Sequence, residues 1–138
     1  MAGELEVVQL WLDAVNRRDG ATLEALSHPE VEIAGPRGAG LMPRVVLSDW
    51  LLRAGFSAES QRWFCGGNGV VVVEQVAVWH DVISGVEQER RMTGSRFEVR
   101  NGLVASYARH DAGAAEAVTR AGLEWERDLV TGHGSGPD

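Results

Sequence analysis

Tyr107, Arg109 and Asp111 stand two apart in the string SYARHD, so an extended backbone puts a phenol, a guanidinium and a carboxylate on one face. Together they could run acid/base chemistry: Asp111 as proton acceptor, Arg109 as a fixed positive charge, Tyr107 as a hydrogen-bond donor. The same spacing has a plain structural reading. Arg109 and Asp111 can pair with each other at a sheet end, and Tyr107 can be a core residue with its hydroxyl satisfied. Gln75, set among valines in VVVVEQVAVW, is polar in apolar company, and a buried amide there needs a ligand, a water or Arg109 as partner. His80-Asp81 has the adjacency of a base and its orienting carboxylate but lies beside turn residues. His28, His110, His133 and Cys65 show no metal-ligand spacing, so neither a metal nor another cofactor is expected. Glu89-Arg90-Arg91 reads as a solvated strand segment, and Gly35-Pro36-Arg37-Gly38 does not follow a phosphate-loop pattern.

Whole-chain balance narrows the partners. All 13 basic residues are arginine, which excludes a Schiff base from a lysine side chain and fits a GC-rich bacterial genome. A net charge of −7 argues against nucleic acid. No apolar run approaches the ~20 residues that span a bilayer, so no membrane partner is expected. The single Cys65 fits a reducing compartment and the opening MAGELEVV lacks the basic flank of a signal peptide, so the expected location is cytoplasmic.

The elements that must position these groups follow from periodicity. Residues 4–18 carry Leu5, Val8, Trp11, Leu12 and Val15 on one helical face and Glu6, Gln9, Asp13 and Asn16 on the other. Val7, Leu10 and Ala14 widen the apolar arc, as in a helix lying across a curved sheet. Asp19-Gly20 ends it, and a short helix follows over 21–27. Beyond Pro29, VEIAG at 31–35 reads as a strand, PRGAG at 36–40 as a loop, and Pro43 as the first turn of a helix that carries Val46, Trp50 and Ala54 and stops at Gly55. Strands over 58–65, 70–80, 87–100 and 103–110 come next, separated by GGNG, Ile83-Ser84-Gly85 and Asn101-Gly102. The Asn-Gly pair is the strongest of these hairpin signals, and pairing of neighbours makes an antiparallel meander. Ala114, Val118, Ala121 and Trp125 trace a final helical stripe weakened by Gly113 and Gly122. One domain over 1–130 and a flexible tail over 131–138 account for the chain.

This order, helix–helix–strand–helix–four strands, resembles the nuclear-transport-factor-2-like superfamily over residues 5–125. The matching strings are VVQLWLDAVNRRD for its first helix, VEIAGPRGAG for its first strand and loop, and FEVRNGLVASYARHD for its closing hairpin. The resemblance implies an α+β fold: a curved antiparallel sheet wrapped around N-terminal helices as a cone with an internal pocket, the cystatin-like roll. It also implies a small-molecule pocket of the SnoaL-like type, in an isomerase, cyclase, dehydratase or hydrolase; the alternative is a non-catalytic ligand-binding or dimeric interaction domain. Set against the ketosteroid isomerases, Trp11 stands where their tyrosine would be, Gly35 at the general base and Ser95 at the protonated aspartate, which disfavours that chemistry. Set against the limonene epoxide hydrolases, Gln75 and Ala77 fall at an Arg-x-Asp pair and Arg109 at a second aspartate, so no carboxylate remains there.

These alignments turn Val71, Val73, Gln75, Ala77 and Trp79 into the cone, with Arg91, Thr93, Ser95, Phe97 and Val99, then Ala105, Tyr107 and Arg109, and Asp111 at the mouth. The resemblance thus implies Asp111, Arg109 and Tyr107 as catalytic candidates and Trp11, Trp50, Gln75, Trp79, Ser95 and Phe97 as the ligand-binding lining. Such a mostly apolar set suits a compact, partly apolar ligand. Val76, Val78 and Met92 fall on the outer face, where many members of the superfamily pair, so a homodimer through that face is expected.

Overall fold

The computed structural model describes residues 3–35 and 38–131. The first helix, α1 (Glu4–Asn16), buries Val7, Val8, Trp11, Leu12, Ala14 and Val15. Leu10, expected to widen its apolar arc, is 43% exposed, so the buried face is narrower than the pattern implied. The Asn-x-x-Asp string that ends α1 does two jobs. Asn16 donates to the Ala58 carbonyl at 2.8 Å and accepts from the Ala58 N–H at 2.9 Å, pairing with a strand edge as another backbone would. Asp19 caps the next helix, α2 (Gly20–Ala25), by accepting from the Thr22 N–H at 3.1 Å and the Thr22 hydroxyl at 2.7 Å. Those bonds hold the Asp19 carboxyl below its ordinary range.

The remaining elements are β1 (Ser27–Gly35), β2 (Gly38–Pro43), α3 (Val45–Ala54), β3 (Phe56–Cys65), β4 (Val70–His80), β5 (Glu87–Arg100), β6 (Leu103–His110), α4 (Ala114–Arg120) and α5 (Trp125–Asp128). The strands form one sheet in the order β2-β1-β6-β5-β4-β3. The strands expected over 70–80, 87–100 and 103–110 have the bounds read from the sequence, β3 starts two residues before the expected 58, and Asn101-Gly102 makes the last turn with φ of 54° and 76°. The curved sheet folds over α1, and the main core packs Trp11, Leu12 and Val15 against Phe56, Trp63, Val73, Phe97 and Tyr107.

Three features depart from the sequence reading. Residues 38–40 of the expected loop belong to β2, and Pro43 ends that strand instead of opening α3. Glycine-rich strings lack strand propensity, but β1 supplies the pairing, Ile33 opposite Gly40 and Glu30 opposite Pro43. On an edge strand the missing proline N–H costs nothing. Secondly, β1 pairs with β6 in parallel, Ile33 beside Tyr107, so the sheet is not antiparallel throughout. Thirdly, the C-terminal stripe breaks into α4 and α5 at Gly122, whose φ is 75°. Both helices lie on the outer sheet face, where Ala117, Val118 and Leu123 cover Phe64 and Val72, and the Trp125 ring lies tilted 4.6 Å from Phe64. Pro36, Arg37 and residues 132–138, most of the expected tail, lie outside the described residues.

Candidate functional site

Strand alternation carries through to the side chains. Val71, Val73, Gln75 and Ala77 are buried under α1, while Val76 and Met92 form a cross-strand pair on the opposite face. Of the expected inward set, Val71, Val73, Ala77, Phe97 and Tyr107 join the core under α1, while a bulge beside Val99 brings Val104 into it in place of Ala105. Among the aromatic residues, Trp11 lies 5.3 Å from the Phe97 ring and 5.1 Å from Tyr107, and its indole N–H donates to the Ser27 hydroxyl at 3.0 Å. Phe97 and Tyr107 are 5.2 Å apart. These contacts fill the base of the cone, so Trp11 and Phe97 back the site from below without lining an open space.

Larger, more open clefts lie along β3 beside Asn16 and between Gly55 and Val82, and a smaller one lies at the mouth. A cavity of about 170 Å³ is bounded by Ile33, Ala34, Met42, Val46, Leu47, Trp50, Tyr107 and Arg109. That volume admits a molecule about the size of benzene. Of the residues expected from sequence, Trp50, Tyr107 and Arg109 reach it. Met42 was missed because β2 read as a loop, and Ile33 and Ala34 because the strand that holds them was not paired with β6 in the sequence reading. Val46 and Leu47 carry only the helical spacing of α3.

Arg109 is the hub of the mouth. Its guanidinium stacks 5.1 Å over Trp79, and its Nε donates to Asp111 Oδ1 at 2.8 Å. Asp111 Oδ2 lies 3.5 Å from Arg91, which also pairs with Glu89 at 2.6 Å. The Arg109–Asp111 ion pair left open by the sequence is thus formed, and Asp111 is not among the cavity-lining residues. Tyr107 is buried, which pushes its phenol above the ordinary range, with Arg109 and a hydrogen bond to Ser95 opposing part of that push. Ser95 in turn donates to Gln75 Oε1 at 2.7 Å. Gln75 and Ser95 are therefore joined as one buried pair.

The other reactive residues go elsewhere. His80 sits at the β4 end, its N–H bonded to the Gly55 carbonyl at 2.8 Å. The Cys65 thiol donates to Glu4 at 3.5 Å, and burial with that nearby carboxylate raises its pKa, which keeps it a weak nucleophile. Among the described residues no cluster of three His, Cys, Asp or Glu could hold a metal ion, and His133 lies outside them. No described helix is long and apolar enough to cross a membrane.

No protein-family model and no curated protein sequence matches the chain. Solved structures do. An LEH-like epoxide hydrolase of M. tuberculosis aligns over 86% of this chain and 90% of its own, with a TM-score of 0.66 and 18% identity. A protein of ketosteroid isomerase-like fold from Catenulispora acidiphila, in complex with trimethylamine, covers 88% and 95%, with a TM-score of 0.64 and 16% identity. A putative polyketide cyclase from Sinorhizobium meliloti covers 79% of this chain and all of its own, with a TM-score of 0.63 and 15% identity. At such identities the likeness is one of fold: the α+β cone with a six-stranded, unclosed curved sheet.

Proposed function

We propose, for a chain that carries the nuclear-transport-factor-2-like cone, that it binds a compact, partly apolar small molecule at the cone mouth. One observation carries this reading: the cavity is walled by Trp50, Tyr107, Met42, Val46 and Leu47 with a single charged residue, Arg109, whose charge Asp111 already answers. Binding without turnover fits better than isomerase, cyclase, dehydratase or hydrolase chemistry, because the one carboxylate of the candidate triad is held between Arg109 and Arg91 away from the cavity wall. Asp111 then acts as the anchor that orients Arg109, and Tyr107 as a wall. A reducing, cytoplasmic setting fits the lone Cys65.

Filling the cavity tests this. Val46→Trp is expected to weaken binding of compact cyclic compounds at least about tenfold in ligand-observed NMR, with the thermal midpoint moved by less than about 4 °C. Unchanged binding in a folded variant would remove the mouth cavity from the function.

The assembly follows from the half of the outer sheet face that α4 and α5 leave open. Val78 is already buried within the chain at 8% exposure, whereas Met92 is 48% exposed beside Val76. We infer that two copies pair there around a two-fold axis. Light scattering should return about twice the 14.9 kDa chain mass at micromolar concentration, and Met92→Glu should return the monomer.

A further inference from the structure

A cleft of about 420 Å³ opens where α3 ends against the β4–β5 hairpin, with Arg18, Leu51, Leu52, Gly55, Asp81 and Val82 among its walls. The chain brings these parts together through Gly55, which leaves α3 and whose carbonyl takes the His80 N–H at 2.8 Å. The hairpin beyond is fixed by its own bonds. The Gly85 N–H donates to the Asp81 carbonyl at 2.8 Å, and the Asp81 N–H to the Val86 carbonyl at 2.9 Å. Leu52 from the helix is 75% exposed and Val82 from the hairpin 58%, so two apolar walls of the cleft stand in water.

The cation of this cleft is pinned in place. Arg18 has a φ of 58°, a left-handed backbone disfavoured for any residue with a Cβ. Its Nη1 donates to the Phe56 carbonyl and, at 3.4 Å, to the Val15 carbonyl. Phe56 directly follows Gly55, so the guanidinium itself, and not only its stem, reaches the cleft. Among the described residues its Nε and Nη2 donate to nothing and no carboxylate pairs with it. The arginines that line the other two clefts are answered, Arg90 by Glu87 and Arg109 by Asp111, each at 2.8 Å. Asp81, on the wall of this cleft, is spent on the hairpin. Its Oδ1 accepts from the Ser84 N–H at 2.8 Å and the Ile83 N–H at 2.9 Å, bonds that hold its carboxyl below the ordinary range.

We propose that this cleft is a second binding site, for a small amphipathic carboxylate whose head pairs with Arg18 and whose hydrocarbon body covers Leu52 and Val82. Nε and Nη2 form the side-on fork of a guanidinium, and both oxygens of one carboxylate match it. With Nη1 held on two backbone carbonyls, the fork is oriented before a ligand arrives. An amine would meet the same fixed cation, and the Asp81 oxygen it needs is already engaged by the turn. His80, also on the wall, adds no negative charge. No residue lines both this cleft and the mouth cavity, so the site stands apart from the ligand-binding reading above.

The probes are octanoate, octanamide and octylamine, titrated into 15N-labelled protein. Octanoate should move the amide signals of Gly55 and Gly85, which line the cleft, and leave those of Ile33 and Met42 at the mouth in place. It should bind about fivefold more tightly than octanamide, as one ion pair at a partly open site gives, and lose that margin in high salt. Arg18→Gln should bring the two affinities together. Leu52→Glu, which removes an exposed wall and sets a like charge beside the ligand, should weaken octanoate at least about tenfold, and it decides the matter if Arg18→Gln fails to fold. Equal binding of octanoate and octanamide, or tighter binding of octylamine, would overturn the assignment to Arg18. Shifts at Ile33 and Met42 alone would overturn the second site and leave the mouth reading standing.

Discussion

Gly55→Ala is expected to destabilise the protein by about 4 kcal/mol, read as a fall in the urea midpoint at constant slope. Gly55 ends α3 with a φ of 59°, a left-handed conformation, and its carbonyl accepts the His80 N–H that starts the β3–β4 pairing. A Cβ on it would stand 2.0 Å from the His80 carbonyl oxygen, a backbone atom that can move only by opening the strand pair. Gly85 is the internal control. Its φ is 76°, yet nothing lies within 4 Å of the position a Cβ would take, so Gly85→Ala should cost only about 1 kcal/mol for backbone conformation. Similar losses at the two sites would mean that the close approach at Gly55 relaxes freely.

Trp11→Ala is the largest expected side-chain effect, also about 4 kcal/mol in the same measurement. The indole is 1% exposed, touches both Phe97 and Tyr107, and ties α1 to the start of β1 through Ser27. Trp11→Phe keeps the ring contacts and forfeits the hydrogen bond, so it should recover more than half of the loss. If alanine is tolerated within about 1 kcal/mol, the base of the cone is looser than its ring contacts imply.

Much of this architecture was legible in the sequence because its signals are local. Period-two alternation in VVVVEQVAVW, the Asn101-Gly102 turn and the broad apolar face of α1 each encode their element directly. What stayed hidden depends on distant partners. β2 exists because β1 pairs with it, and the parallel β1–β6 contact joins residues that no turn connects. The site divides in the same way. Periodicity put Tyr107, Arg109 and Asp111 on one face, and the structure seats Arg109 and Tyr107 in the cavity wall while Asp111 turns toward Arg91. The Arg109–Asp111 pair follows from spacing along the chain, whereas the second contact, from Arg91, depends on the strand next door. Gln75 stood out as a polar residue among valines; that Ser95 donates to it depends on the β4–β5 register.

The parallel seam between β1 and β6 also governs when the molecule can become a molecule. β1 has only β2 and β6 as neighbours, and its partner Tyr107 lies in the last strand of the sheet. During synthesis the N-terminal helices and the β1–β2 hairpin therefore emerge long before the surface that covers them. Closing so long a loop before any contact rewards it slows folding and keeps apolar faces such as that of α1 in water meanwhile. The chain commits to its cone only once β6 has been made, so a stalled or shortened product ending before residue 103 is a substrate for chaperones and proteases, and not a smaller version of the domain.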